Sequence, residues 1–279
     1  MAAPAGAAAE GPAGPTGPAG STGPNEPTEP LGADALWVWS WDDPAELSGF
    51  VADSGFDRVY LYAQGGFDRR VRRATTALTA RGIAVEALGG EKRWATTQRR
   101  DMLRFVRSAR RYQRSAPPGE RLAGIHVDVE PYDLRAWDRD QGRVSRSLVA
   151  ALRSARRRAG SLPFAADIPF WFDGIRAGSR SLAERAIAAT DAVTIMAYRD
   201  SAGAVADVAK REVAIAGRLG KSATIGVETA DVSPPQVTFF QEGRDALIAA
   251  LAEVSTTFAG QPGFGGTAVH HYGSLVDLR

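Results

Sequence analysis

Gly124-Ile125-His126-Val127-Asp128-Val129-Glu130-Pro131-Tyr132 is the stretch from which the fold can be read. Apolar and polar residues alternate along most of it, and a proline follows the second acid. Successive side chains of a strand point to opposite faces. Ile125, Val127 and Val129 therefore share one face, and His126, Asp128 and Glu130 share the other. A strand that hides valines on one side and aligns acids on the other marks the edge of a functional site.

Working outward, further strand-like runs fall at 35–41, 58–64, 84–90, 164–171, 192–200, 223–229 and 266–272, with the central one at 124–132. Between them lie stretches rich in Ala, Leu, Arg and Glu, such as 43–53 and 143–159. Asp43-Pro44 supplies a helix cap and a first-turn proline, and Gly160 closes the helix after Arg158. Eight strands separated by seven helices predict an α/β chain folded as a (β/α)8 TIM barrel. An open doubly wound sheet is the alternative, but no glycine-rich phosphate fingerprint follows any strand. The short end after the eighth run leaves little room for a last helix.

Residues 1–32 read differently. They are nearly all Ala, Gly, Pro, Thr, Ser and Glu, with glycine at 11, 14, 17, 20 and 23. Such a segment buries too little apolar surface to offset its ordering entropy, which predicts a disordered, extended tether. Residues 33–279 form the expected catalytic domain. A tether on such a domain suggests an extracellular or cell-surface protein whose leader is absent from this chain. No cysteine is present, which excludes disulfides and thiolate chemistry, and no apolar run is long enough to span a membrane.

The formal charge is only +2. Arginine clusters at 107–111 and 153–158 read as solvated helix faces, and without interleaved aromatics no nucleic-acid partner is expected. Three histidines, with His270 and His271 on opposite faces, argue against a metal site. No cofactor is expected. A monomer with a carbohydrate substrate is.

In a barrel of this type chemistry sits at the C-terminal ends of the strands. Alternation turns inward Tyr60, Tyr62 and Gln64; Glu86; His126, Asp128 and Glu130; Asp167; Met196, Tyr198 and Asp200; Glu228; and His270 and Tyr272. Acids, tyrosines and nearby tryptophans at one mouth are the profile of a sugar-binding cleft. Gln64, Asp167, Asp200, His270 and Tyr272 are candidate substrate contacts. Among the tryptophans, Trp41, Trp94 and Trp171 come latest on their strands and are the expected stacking platforms. Glycoside hydrolysis needs one carboxyl as acid and a second group to stabilise or attack the sugar carbon. Glu130 is the candidate proton donor, and Asp128 beside it should raise the pKa of one of the pair.

These residues resemble a family. Gly124 to Glu130 is similar to the strand-four signature D-G-x-D-x-D-x-E of the family 18 glycoside hydrolases, the chitinase-like barrels. Ala87-Leu88-Gly89-Gly90 resembles that family's S-x-G-G, and Met196-Ala197-Tyr198 its M-x-Y. The resemblance implies that Glu130 protonates the leaving oxygen, that Asp128 orients an N-acetyl group acting as internal nucleophile, and that Tyr198 hydrogen-bonds that group. Ala123 and His126 stand where the family has aspartates, Ala87 where it has serine, and His270-His271-Tyr272 where it has a tryptophan. From its place, His126 is expected to hydrogen-bond Asp128 from below. Glu130-Pro131 and Glu228 also resemble the barrel hydrolases with glutamates on strands four and seven, which implies Glu228 as a covalent nucleophile. A non-catalytic carbohydrate-binding barrel is the third reading.

Overall fold

A computed structural model describes residues 30–279; the expected tether lies almost wholly outside the described residues. Leu31 is already fully buried, and its N–H donates to the Ser54 carbonyl at 2.9 Å, so the packed domain begins two residues ahead of 33.

Eight parallel strands close into a barrel: β1 (Ala35–Val38), β2 (Arg58–Tyr62), β3 (Ala84–Gly90), β4 (Gly124–Asp128), β5 (Phe164–Pro169), β6 (Ala192–Met196), β7 (Ser222–Glu228) and β8 (Phe264–His270). Each pairs with its sequence neighbours, and β1 closes on β8 through Ala35 opposite Ala268. The surrounding helices are α1 (Pro44–Asp53), α2 (Arg69–Thr79), α3 (Arg99–Ser115), α4 (Arg135–Arg139), α5 (Gln141–Ala159), α6 (Leu182–Ile187), α7 (Ala202–Arg218), α8 (Gly243–Phe258) and a short closing α9 (Tyr272–Asp277). A small hairpin, Arg176–Ala177 with Arg180–Ser181, precedes α6. Among the described residues no helix is long and apolar enough to cross a membrane.

The start and stop signals act as their chemistry requires. Asp43 accepts from the Ala45 and Glu46 amides ahead of α1, and α5 stops at Gly160, whose φ of +67° suits glycine. Ile125 and Val127 face outward into the buried layer beneath the helices, as the alternation of β4 demands.

Seven of the strand-like runs end earlier than the sequence suggests. β1 stops at Val38, β4 at Asp128, β5 at Pro169, β6 at Met196 and β8 at His270. Tight turns such as Pro131–Asp133 and Phe170–Gly174 follow directly. Trp41, Gln64, Glu130, Trp171, Tyr198, Asp200 and Tyr272 therefore sit beyond their strands, where period-two alternation no longer dictates direction. Glu86, His126, Asp128, Asp167, Glu228 and His270 are on the ladder itself.

Candidate active site

Inside the barrel a buried charge network fills the layer below the mouth. His126, fully buried, reaches Glu86 through Nδ1 at 3.1 Å and Asp167 through Nε2 at 2.7 Å. Arg58 at the barrel's lower rim pairs with the other Glu86 oxygen at 2.6 Å. The Trp37 indole donates to Asp167 at 3.1 Å. The Tyr60 ring stacks on the imidazole at 3.8 Å between centroids. Burial opposes charging of His126, but its flanking carboxylates, Asp167 foremost, outweigh that and lift its pKa to about 9. Glu86 is held below the usual range despite its burial by His126 and Arg58. His126 thus has both ring nitrogens committed elsewhere and does not support Asp128 from below as expected.

Asp128 ends β4, one pleat above. Its Oδ1 is buried with no hydrogen-bond partner among the described residues. Burial first, then the nearby Glu130 carboxylate, raises its pKa well above the usual carboxylate range. Gly90 lies opposite Asp128 in the β3–β4 ladder, and a Cβ there would come within 2.7 Å of the Asp128 carbonyl oxygen. A Cβ at Gly89 would meet the rings of Phe105 and Trp94 at 3.0 Å. Gly90 thus lets β3 approach the acid-bearing end of β4, while Gly89 makes room for Trp94 and Phe105 on the opposite face.

Glu130 is half-buried in the turn after β4, where Pro131 folds the chain so that Tyr132 returns its hydroxyl to the Glu130 carboxylate. Burial raises the Glu130 pKa to about 7 against the pull of that hydroxyl. Tyr132 leads an aromatic wall with Trp171 at 5.0 Å, and Trp171 in turn contacts Trp137 at 6.2 Å and Phe172 at 5.0 Å.

Across the barrel His270 pairs in register with Glu228. Its Nδ1 lies 2.8 Å from Glu228 Oε2, and its Nε2 is 3.0 Å from the Trp39 indole nitrogen. An indole N–H only donates, so Nε2 accepts and the proton sits on Nδ1 facing Glu228. Glu228 Oε1 accepts from the Thr229 and Ala230 amides, both at 2.8 Å. Hydrogen bonds thus occupy both Glu228 oxygens, and despite burial its pKa is lowered, chiefly by His270. Tyr198 is half-buried beside His270, with ring centroids 5.9 Å apart. Trp39, just past β1, packs over Tyr62 at 5.7 Å.

Trp41, Trp94 and Tyr272 turn away from this mouth, while Gln64 and Asp200 lie at the C-terminal side of their strands. Trp41 is buried under the Arg70 guanidinium, 4.4 Å from its ring centroid, and Arg70 also donates to its carbonyl. Trp94 is buried against Phe105. Tyr272 opens α9 and packs on Phe50 of α1 at 5.3 Å. The Gln64 side-chain oxygen accepts from the Gly90 N–H at 2.7 Å. Asp200 is half-buried in the loop after β6. Trp39 and Tyr132 instead supply aromatic surface. Trp39 is distinguished from Trp41 by spacing alone, being the first residue past the strand on the inward face, and Tyr132 by its place two residues after an acid across a proline.

No protein-family profile matches the chain, and no curated protein matches it in sequence. Solved structures do. A GH18 chitinase from Pseudoalteromonas aurantia superposes with a TM-score of 0.58 at 12% identity, over 87% of this chain and 94% of that one. A plant class V chitinase mutant from Cycas revoluta, in complex with (GlcNAc)3, gives 0.51 at 12%, over 88% and 96%. A Toxoplasma gondii ME49 protein assigned as a deoxyribose-phosphate aldolase gives 0.53 at 10%, over 88% and 91%. The likeness to the chitinase-like barrels expected from the three motifs is therefore found at the level of fold, a fold that other chemistries share.

Proposed function

We propose that this chain is a glycoside hydrolase acting on a polysaccharide or oligosaccharide that contains N-acetylated amino sugars, with Glu130 as general acid and base. The reading rests on one observation above all: two neighbouring carboxyls at the barrel mouth, both pushed upward by burial, one of them to about 7. A carboxyl protonated near neutral pH is what a departing sugar oxygen requires. The chitinase structures of the same fold support the substrate class.

In this mechanism Glu130 gives its proton to the glycosidic oxygen as the bond to the anomeric carbon breaks. The N-acetyl carbonyl oxygen of the same sugar closes on that carbon, so no protein nucleophile is needed. Asp128 takes the amide N–H of the acetyl group with its unpartnered oxygen, and Tyr198 hydrogen-bonds the acetyl oxygen. The Glu130 carboxylate then draws a proton from water, which opens the ring intermediate and restores the acid. The substrate itself thus supplies the partner that Asp128 Oδ1 lacks. An extracellular or cell-surface setting belongs to the same proposal.

Glu228 is the weaker candidate for nucleophile because backbone amides and His270 hold both of its oxygens. Glu228→Gln is accordingly expected to reduce turnover less than Glu130→Gln, by about tenfold or less, the scale of losing hydrogen bonds that only orient a neighbour. Parallel kcat measurements check this, and an equal collapse in both variants would restore Glu228 as nucleophile. Trp39 and Trp41 separate in the same way. Trp39→Ala should weaken oligosaccharide affinity by about 0.5–1.5 kcal/mol through lost ring contact, while Trp41→Ala should lower thermal stability and leave affinity unchanged. Calorimetric titration and melting curves read the two effects apart.

A further inference from the structure

The net charge of +2 hides a steep division. Between residues 69 and 158 the chain carries 23 Lys and Arg against 9 Asp and Glu, while the remainder carries 11 against 23. This basic segment supplies α2, α3 and α5. On α3 the exposed residues Arg100, Arg104, Arg107, Arg111 and Arg114 recur at spacings of four and three. That spacing puts them in one stripe about 21 Å long at a rise of 1.5 Å per residue. The opposite face of α3, with Met102, Phe105, Val106 and Ala109, is buried. Arg143, Arg146, Arg153 and Arg157 are exposed on α5, which packs beside α3. On the other side, α2 borders a shallow, open groove lined by Phe67, Arg69, Arg72, Arg73 and Glu120, among others. Phe67 stacks at 4.4 Å on Tyr112, which belongs to the buried face of α3 rather than to its arginine stripe.

Among the described residues, only Arg72 and Arg104 of the α2 and α3 arginines named above have an acidic partner, Glu120 and Asp101 respectively. A concentration of like charge with so little compensation is unfavourable to the isolated fold and attracts polyanions. Guanidinium forks match carboxylate and sulfate groups in two-point geometry. Nucleic-acid single strands call for aromatic stacking platforms, yet the exposed large apolar residues of the described chain, Phe240 and Val276, lie outside this wall; a duplex needs only phosphate contacts and is therefore an arm of the test. Insertion into a membrane interface calls for apolar side chains that enter the lipid, and the same absence applies; attraction to anionic lipid by charge alone is another arm of the test.

We propose that the α2–α3–α5 wall binds an anionic polysaccharide, a chain bearing carboxylate or sulfate groups, along its exposed arginines. Choosing a glycan as the polyanion rests on the hydrolase reading; the wall's preference for polyanions rests on its charge alone. It holds the enzyme on an acidic glycan surface while the barrel mouth works on its own substrate.

The test is binding, not turnover, so that a failed hydrolase reading leaves it intact. Wild type and Arg69→Gln/Arg73→Gln/Arg107→Gln/Arg111→Gln are titrated with polygalacturonate, neutral dextran, a 24-base-pair DNA duplex and vesicles of phosphatidylcholine with 30% phosphatidylserine, each at 50 and 150 mM salt. If the fourfold variant does not fold, Arg107→Gln/Arg111→Gln replaces it. Expected are polygalacturonate binding by wild type at both salts, weaker at the higher one, no dextran binding through this wall, and a loss of about tenfold or more in the variant. DNA and vesicles should bind at least about tenfold more weakly than polygalacturonate. No polyuronate binding, binding unchanged in the variant, equal or tighter binding of DNA or vesicles, or salt-sensitive self-association of the wild type through its acidic half would each overturn the proposal.

Discussion

Glu130→Gln is expected to lower kcat on a cleaved polysaccharide by two to four orders of magnitude, the usual contribution of a positioned general acid. The amide keeps the shape of the carboxyl and can still meet the Tyr132 hydroxyl, so the mouth is expected to hold its form and oligosaccharide affinity to change little. A pH dependence accompanies this. With the Glu130 pKa at about 7, the protonated acid is present below that value and is lost as pH rises through it, so kcat should fall on the alkaline side of about pH 7. Asp128, raised in the same direction by burial and by Glu130, belongs to the same titration, and the profile reports the pair rather than either acid alone. Initial-rate measurements from pH 5 to 9 on wild type, with Glu130→Gln alongside, test both statements.

The second large effect concerns the buried network beneath the mouth. His126→Gln leaves Glu86 and Asp167 facing each other across the barrel interior without the imidazolium that separates them. Breaking a buried ion pair by removing one member costs about 3–5 kcal/mol. At about 2–4 °C per kcal/mol for a chain of this size, the melting temperature should drop by roughly 6–20 °C. The sign of its pH dependence follows from the shift. His126 has a folded pKa of about 9, above its value of 6.5 in the unfolded chain, so its contribution is fully present below about pH 6.5 and is lost as pH rises through about 9. The lost part amounts to about 3 kcal/mol. The gap in stability between wild type and His126→Gln should therefore be widest near pH 6 and narrow towards pH 10. Denaturant unfolding at a series of pH values reads this directly.

The barrel was legible because its strands alternate and its helices carry ordinary caps. The strand ends were not. Alternation assigned Glu86, His126, Asp128, Asp167, Glu228 and His270 correctly to the interior because these residues lie on the ladder. Past the last ladder bond the backbone turns, and direction then depends on packing partners distant in sequence. Trp41 looked like a platform until Arg70, 29 residues away, covered its ring. Tyr272 looked inward until α9 turned it onto Phe50. Trp94 was drawn into the core by the space above Gly89. The expected bond from His126 to Asp128 failed for a different reason: Glu86 and Asp167 on neighbouring strands β3 and β5 claim both imidazole nitrogens. Only knowledge of the strand register reveals that competition.

A crystal of Glu130→Gln soaked with (GlcNAc)3 would show where the sugar sits relative to residue 130 and Asp128. A sugar ring is expected against Trp39, with an acetyl group within hydrogen-bond reach of Asp128 and Tyr198 and a glycosidic oxygen about 3 Å from the residue-130 side chain. An oligosaccharide seated away from the mouth, or bound there with residue 130 out of reach of every glycosidic oxygen, would contradict Glu130 as the general acid.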